Sequence, residues 1–261
     1  MSTVASRAPL ARLNPVTKLA VALVLSVALL ITVDPVTAGI ILAVELVVLP
    51  LTGLGARALG LRLGVLLMLS TSVTVVNAVA ADAGGGLLLA AGPFELTRDA
   101  SLAGVSAGLR VYAVALPGVV LLSTTDPTDL ADALAQRLHL PHRFVLGALA
   151  AVRLLTVLSE EWHSLARARR ARGLAAGGSP VAALGSFPGQ VFALLVAAIR
   201  RATRLALAME ARGLGVRPQR TWARPSPFTA LDAVVVTATL ALAGGATALA
   251  VALGAWQLPF G

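Results

Sequence analysis

Two arginines carry the most specific chemistry in this sequence. Arg172 and Arg212 lie forty residues apart, in Arg169-Arg170-Ala171-Arg172-Gly173-Leu174 and Met209-Glu210-Ala211-Arg212-Gly213-Leu214. A guanidinium stays ionised and forks onto a carboxylate through parallel N–H donors. Each phrase also ends a helical pattern, and the glycine suits a left-handed cap that leaves the arginine in the last turn. Ordinary capping accounts for one such phrase. The duplicated Ala-Arg-Gly-Leu instead reads as two helix tips, each offering one guanidinium to an acidic socket.

A second pair of charges lies in apolar surroundings. Glu45 sits in Ile40-Ile41-Leu42-Ala43-Val44-Glu45-Leu46-Val47-Val48-Leu49, and Arg110 sits in Ala107-Gly108-Leu109-Arg110-Val111-Tyr112. A lone charge at a bilayer midplane is unfavourable by at least about 2.5 to 3.5 kcal/mol on insertion scales, so both are expected to turn inward. Opposite sign and similar depth predict an internal ion pair. An ion relay is the functional alternative, but no third titratable residue continues a path.

Catalytic and metal chemistry find little support. His139, His142 and His163 never share a ligand spacing with acids on one face. Asp82-Ala83-Gly84-Gly85-Gly86 is not a phosphate loop, because a P-loop needs a lysine after its last glycine and the only lysine is Lys18. Glu160-Glu161 reads as solvated or arginine-paired. With no cysteine and no His-Glu-x-x-His present, the reading is a non-enzyme without cofactor or metal, and any ATP must be hydrolysed by another polypeptide.

The elements that position these residues belong in a membrane. The 261 residues are 57% hydrophobic and only 13% charged, where soluble domains carry roughly 25% charged residues. The net charge of +9 comes with a single tyrosine and no reader motif, which argues against nucleic acid. Hydropathy predicts five spans, at about 19–33, 36–54, 63–81, 100–122 and 228–253. The first resembles a secretory signal but lacks a cleavage site, and Asp34-Pro35 turns it into a retained hairpin. Leu87 to Ala91 reads as a short external or re-entrant piece.

Fourteen of the 21 basic residues fall in the segment from Pro141 to Pro225 and the short helix before it. The positive-inside rule then places that segment and the N-terminus in the cytoplasm of a multi-pass cell-membrane protein. The expected domains are 1–123 with four spans, 124–225 as a cytoplasmic module, and 226–261 with the last span.

The module opens on Asp126 as N-cap with Pro127 at the first helical position. Leu130, Leu134 and Leu138 form an amphipathic stripe that Pro141 ends. Two long helices follow, over about 143–172 and 189–212. Gly177-Gly178-Ser179-Pro180 and Phe187-Pro188-Gly189 are expected to break the chain between them. The second long helix is expected to bury Phe192, Leu195, Ile199 and Leu205. Reading these helices as further spans fails, because Arg200, Arg201 and Arg204 cut the apolar run to about eleven residues.

Two helices ending in Ala-Arg-Gly resemble the transmembrane T component of energy-coupling factor (ECF) transporters, the EcfT/CbiQ family of cobalt and vitamin uptake. The Thr124-Thr125-Asp126-Pro127 turn with its leucine-rich helix is similar to that family's first coupling helix. Asn14-Pro15-Val16-Thr17-Lys18 is similar to its Asp-Pro-Arg-x-x-Lys motif, with Asn and Val replacing the acid and the arginine. The resemblance implies an all-α polytopic scaffold of an ATP-driven importer of a vitamin or transition-metal ion. Its Ala171, Arg172, Gly173, Ala211, Arg212 and Gly213 would dock two cytoplasmic ABC-type ATPases, and its helices would hold a membrane-embedded substrate-binding subunit. A stand-alone secondary carrier or channel is the alternative reading.

Overall fold

A computed structural model describes residues 10, 13–80, 86–91, 94–172, 180–214, 222, 224–254 and 256. Contacts divide the chain into two units, Met1–Ala133 with Ser226–Gly261, and Leu134–Pro225. The first unit holds α1 (Pro15–Ile31), α2 (Pro35–Val48), a 3-10 turn (Leu49–Thr52), α3 (Ala56–Ala80), α4 (Arg98–Thr124) and α8 (Ala230–Ala252). Among the described residues four stretches, Pro35–Thr52, Leu59–Ala80, Arg98–Thr124 and Ala230–Ala252, are long and apolar enough to cross a membrane. The 17-residue α1 is a shorter apolar helix, about 25 Å long. The protein is thus a polytopic, helical membrane protein.

One strand pair interrupts the helices. The run after the glycines is β1 (Leu87–Ala91), antiparallel to β2 (Phe94–Thr97), with a bulge between Leu87 and Leu89. Its sequence signal is a short apolar run followed by the breaker Gly92-Pro93.

Local capping explains where the spans begin. Asn14 accepts a hydrogen bond from the Val16 amide, and Asp34 from the Thr37 amide, each with proline at the first helical position. Thr97 caps α4, while Thr229 and Asp232 form a reciprocal capping box on α8. Leu25, Leu29, Ile41, Ala113, Leu116 and Ala246 lie at the centre of the packed core.

The tightest packing joins α3 to α4. Gly104 and Gly108 of α4 face Ser70, Thr74 and Ala78 of α3, so small residues four apart meet small residues four apart. A Cβ on Gly104 would lie 2.5 Å from the Thr74 carbonyl oxygen, and one on Gly108 would collide with the Thr74 hydroxyl. The Ser70 hydroxyl donates to the Gly108 carbonyl at 2.8 Å.

A polar cluster joins distant parts of the chain at the start of α1. The Asn14 amide donates to Asp232 Oδ1 at 2.8 Å, across 218 residues. Asp232 Oδ2 accepts from the Thr229 amide and hydroxyl, both at 2.7 Å. Asn14 Nδ2 donates to Ser226 Oγ at 2.8 Å. Lys18 Nζ donates to the Thr124 carbonyl at 3.0 Å, tying α1 to the end of α4.

In the second unit, α6 (His142–Ala171) and α7 (Pro180–Ala211) pack together. The expected break at Phe187-Pro188-Gly189 is not a break, because α7 runs through Pro188. A proline deletes one ladder bond, at a cost of about 3 kcal/mol. The edge-on contact of Phe187 with Trp162, centroids 5.7 Å apart, holds the helix across it. Nor does α7 bury its apolar face, since Phe192 is 68% and Ile199 59% exposed. Helix α5 (Pro127–Arg137) starts where the Asp126 side chain accepts from the Thr128 amide.

We expect Gly108→Val to lower stability by about 1 to 3 kcal/mol through overpacking. Gly118→Ala, which meets nothing within 4 Å, should not. Thermal unfolding of the purified protein in detergent checks both, and equal midpoints would remove the close α3–α4 contact as a determinant. By the same measurement Asp232→Ala should cost about 1 to 3 kcal/mol, because it strands the buried Asn14 amide.

Candidate functional site

The two arginine tips both lie in the second unit. Helix α6 ends with Arg172 as its C-cap, whose amide donates to the Ala168 carbonyl at 3.2 Å. Ala171 and Arg172 are exposed, while Gly173 lies outside the described residues. Helix α7 ends in a fuller cap. Gly213 has φ +80, its amide donates to the Glu210 carbonyl at 2.9 Å, and the Leu214 amide donates to the Met209 carbonyl at 3.0 Å. This pair of bonds is a Schellman motif, which needs the left-handed residue that glycine supplies without strain. Ala211 and Arg212 are exposed. Among the described residues the only ion pair is Arg201 to Glu161, so neither tip guanidinium is taken up by an acid.

Glu161 meets Arg201 at 2.9 Å, Trp162 meets Phe187, and the Arg169 guanidinium lies against Gly189. Arg169 precedes Arg172 by three residues, so the tip of α6 lies near Gly189. From Gly189 to Arg212 runs about 35 Å of helix at 1.5 Å per residue. The tips therefore stand apart, Arg172 near Gly189 and Arg212 at the far end of α7. This arrangement suits two separate acidic partners rather than one bidentate site.

The histidines take other roles. His142 lies against the Trp222 ring with centroids 5.2 Å apart, and His139 adopts a left-handed backbone with φ 52. Among the described residues no group of three or more His, Cys, Asp or Glu converges.

Glu45 and Arg110 do not form the expected ion pair. Both Glu45 carboxylate oxygens are buried without a hydrogen-bond partner, as are Arg110 Nε and Nη2. Arg110 instead lies within electrostatic reach of Asp34. The register explains the difference. Ser106 donates to the Val33 carbonyl at 2.8 Å, which sets Arg110 about one turn past the start of α2. Glu45 lies further along, where it shares a cavity with Leu116 and Pro117 of α4. Six or seven residues of α4, about 10 Å, separate the two levels. Both residues sit near the middle of an apolar run, but the runs start at different heights.

Sequence reasoning passed over Asp232 and the contacts of Lys18. Its available signals were the Thr-x-x-Asp box at Thr229 to Asp232 and a solitary lysine opening an apolar helix.

Residues 6–222 match the profile of the family described as CbiQ, cobalt transport protein. The chain is similar to the energy-coupling factor transporter transmembrane protein EcfT of Leuconostoc gelidum subsp. gasicomitatum, 28% identical over 64% of this chain and 65% of the relative. It is 33% identical to the EcfT of Heliobacterium modesticaldum over 56% of this chain and 58% of the relative. In both cases the match spans less than two thirds of the relative's length. Against the EcfT of Thermosediminibacter oceani the identity is 28%, over 90% of this chain and 91% of the relative.

The Schellman cap yields a local test. Gly213→Val should open the end of α7, because a left-handed backbone costs a residue bearing Cβ about 1 to 2 kcal/mol. Gly213→Asn should be milder. Hydrogen exchange at the amides of residues 213 and 214 should quicken by a factor of about 5 to 30 in the valine variant. Unchanged exchange would mean that the cap does not hold the tip.

Proposed function

Since the chain belongs to the CbiQ family of cobalt transport proteins, we propose that it is the energy-coupling scaffold of an ATP-driven importer of the ECF type. The observation that carries this reading is the pair of exposed arginines, Arg172 and Arg212, on two helix tips that stand apart. Each would enter an acidic socket on one of two cytoplasmic ABC-type ATPases. A guanidinium supplies a planar fork of donors to a carboxylate, and its weak hydration makes it easier to desolvate than an ammonium. Ala171 and Ala211 beside them have no bulk to hold a partner surface away. The absence of a Walker motif from the sequence supports hydrolysis on those partners.

In this reading residues 124–225 are the coupling module and lie in the cytoplasm with the N-terminus. The surplus of arginine in that segment supports the orientation. Closure of the ATPases on ATP would shift the two tips, and α6 and α7 would carry the movement to a membrane-embedded substrate-binding subunit. The exposed apolar residues Phe144, Leu155, Phe192 and Ile199 offer that subunit a surface. A vitamin or transition-metal ion would be chosen by the substrate-binding subunit.

Arg172→Glu and Arg212→Glu should each weaken ATPase docking, and together abolish it. Removing one partner of a desolvated charge pair costs about 2 to 5 kcal/mol, or about 30-fold or more in affinity. Co-purification from native membranes reads the outcome. Undiminished recovery of the ATPases with the double variant would refute the docking role.

A further inference from the structure

The first unit carries a half-open cavity that the proposed coupling function leaves unused. Helices α1 and α2 each pack on α4 and α8 but barely on each other, which leaves a space of about 400 Å³ between the four. That volume lies within the range of about 300 to 1,000 Å³ typical of small-molecule sites. Val21, Leu25, Leu116 and Leu242 give it apolar walls. Pro117 lines it where α4 lacks one ladder donor.

Two charged side chains, Glu45 and Lys18, line the cavity. The Lys18 ammonium is directed to oxygens of Thr124 and Thr125, at 3.0, 3.3 and 3.5 Å. Glu45 has no such outlet, because both its oxygens are buried and accept no hydrogen bond. A carboxylate only accepts, so its complement is a donor, and in apolar surroundings a donor of opposite charge. Thr52 and Thr239 also line the space, but their hydroxyls donate to the Leu49 and Val235 carbonyls. The described residues therefore supply walls for an apolar body and an acceptor for a cationic head, without the head itself.

We propose that this cavity binds an amphiphile with an ammonium head and an apolar tail, the ammonium donating to Glu45 and the tail lying among Val21, Leu25, Leu116 and Leu242. Two sources share this chemistry, a free alkylamine and an aminophospholipid.

Native mass spectrometry of the full chain tests it without any ATPase, and so apart from the docking reading. Protein released from phosphatidylglycerol nanodiscs with decylamine should retain one amine, and decanol should not replace it. Glu45→Gln should reduce the adduct at least tenfold. Val235→Phe, which fills the cavity and keeps the carboxylate, should do the same and serves if Glu45→Gln does not fold. In nanodiscs containing phosphatidylethanolamine, one retained aminophospholipid in place of the amine assigns the lipid source, and a persisting amine adduct assigns the free amine. Absence of both adducts, equal retention of decanol, or an adduct undiminished in the variants would overturn the proposal.

Discussion

The fold depends on how few polar groups an apolar bundle can leave without partners. Asp232 meets that constraint by accepting from the backbone at residue 14 and from Thr229, at both the amide and the hydroxyl. One carboxylate thereby closes the first unit, since it joins the start of the first helix to the start of the last. Lys18, one turn along α1, extends the same cluster to the end of α4. The point where the chain leaves the bundle toward α5 is thus held by the residues that close it. The Asn14-Pro15-Val16-Thr17-Lys18 stretch works through its Asn, Thr and Lys, since the buried Thr17 side chain also bonds Asp232, and the Val16 side chain enters none of these bonds.

Helix positions were legible because composition and capping act locally. Asp126-Pro127 marks the start of α5, and the four long apolar stretches match their hydropathy within a few residues. The contact of α3 with α4 was equally available. Gly104-Val105-Ser106-Ala107-Gly108 has the spacing that lets helices approach closely in lipid. Its partner stripe of Ser70, Thr74 and Ala78 has meaning only once the two helices are known to be neighbours.

What stayed hidden depends on register and on long-range energy. Distance along an apolar run fixed the depth of Glu45 and Arg110 only within each run, and the offset between α2 and α4 separated them. Pro188 is a breaker by local rule, yet α7 passes through it because Trp162, on another helix, packs against Phe187. Of the tip residues, the sequence carried the whole of the Arg212-Gly213 cap, since a left-handed glycine at a helix end is a local matter. The separation of the tips came from the approach of Arg169 to Gly189, a partnership that no spacing rule specifies.

The sparse join between α6 and α7 has a mechanical consequence. Among the described residues one ion pair, one aromatic edge and the approach of Arg169 to Gly189 link two rods of 30 and 32 residues, and Val145 is the one buried residue of α6. An exposed ion pair is weak, worth about 0 to 1 kcal/mol. Such a pair of levers has high stiffness along each rod and low stiffness at the joint. Torque applied at one end is absorbed as a change of angle unless a surface outside the pair clamps the apolar faces. In the proposed coupling, the geometry of transmission would therefore depend on whatever covers Phe144 and Phe192 rather than on the rods themselves.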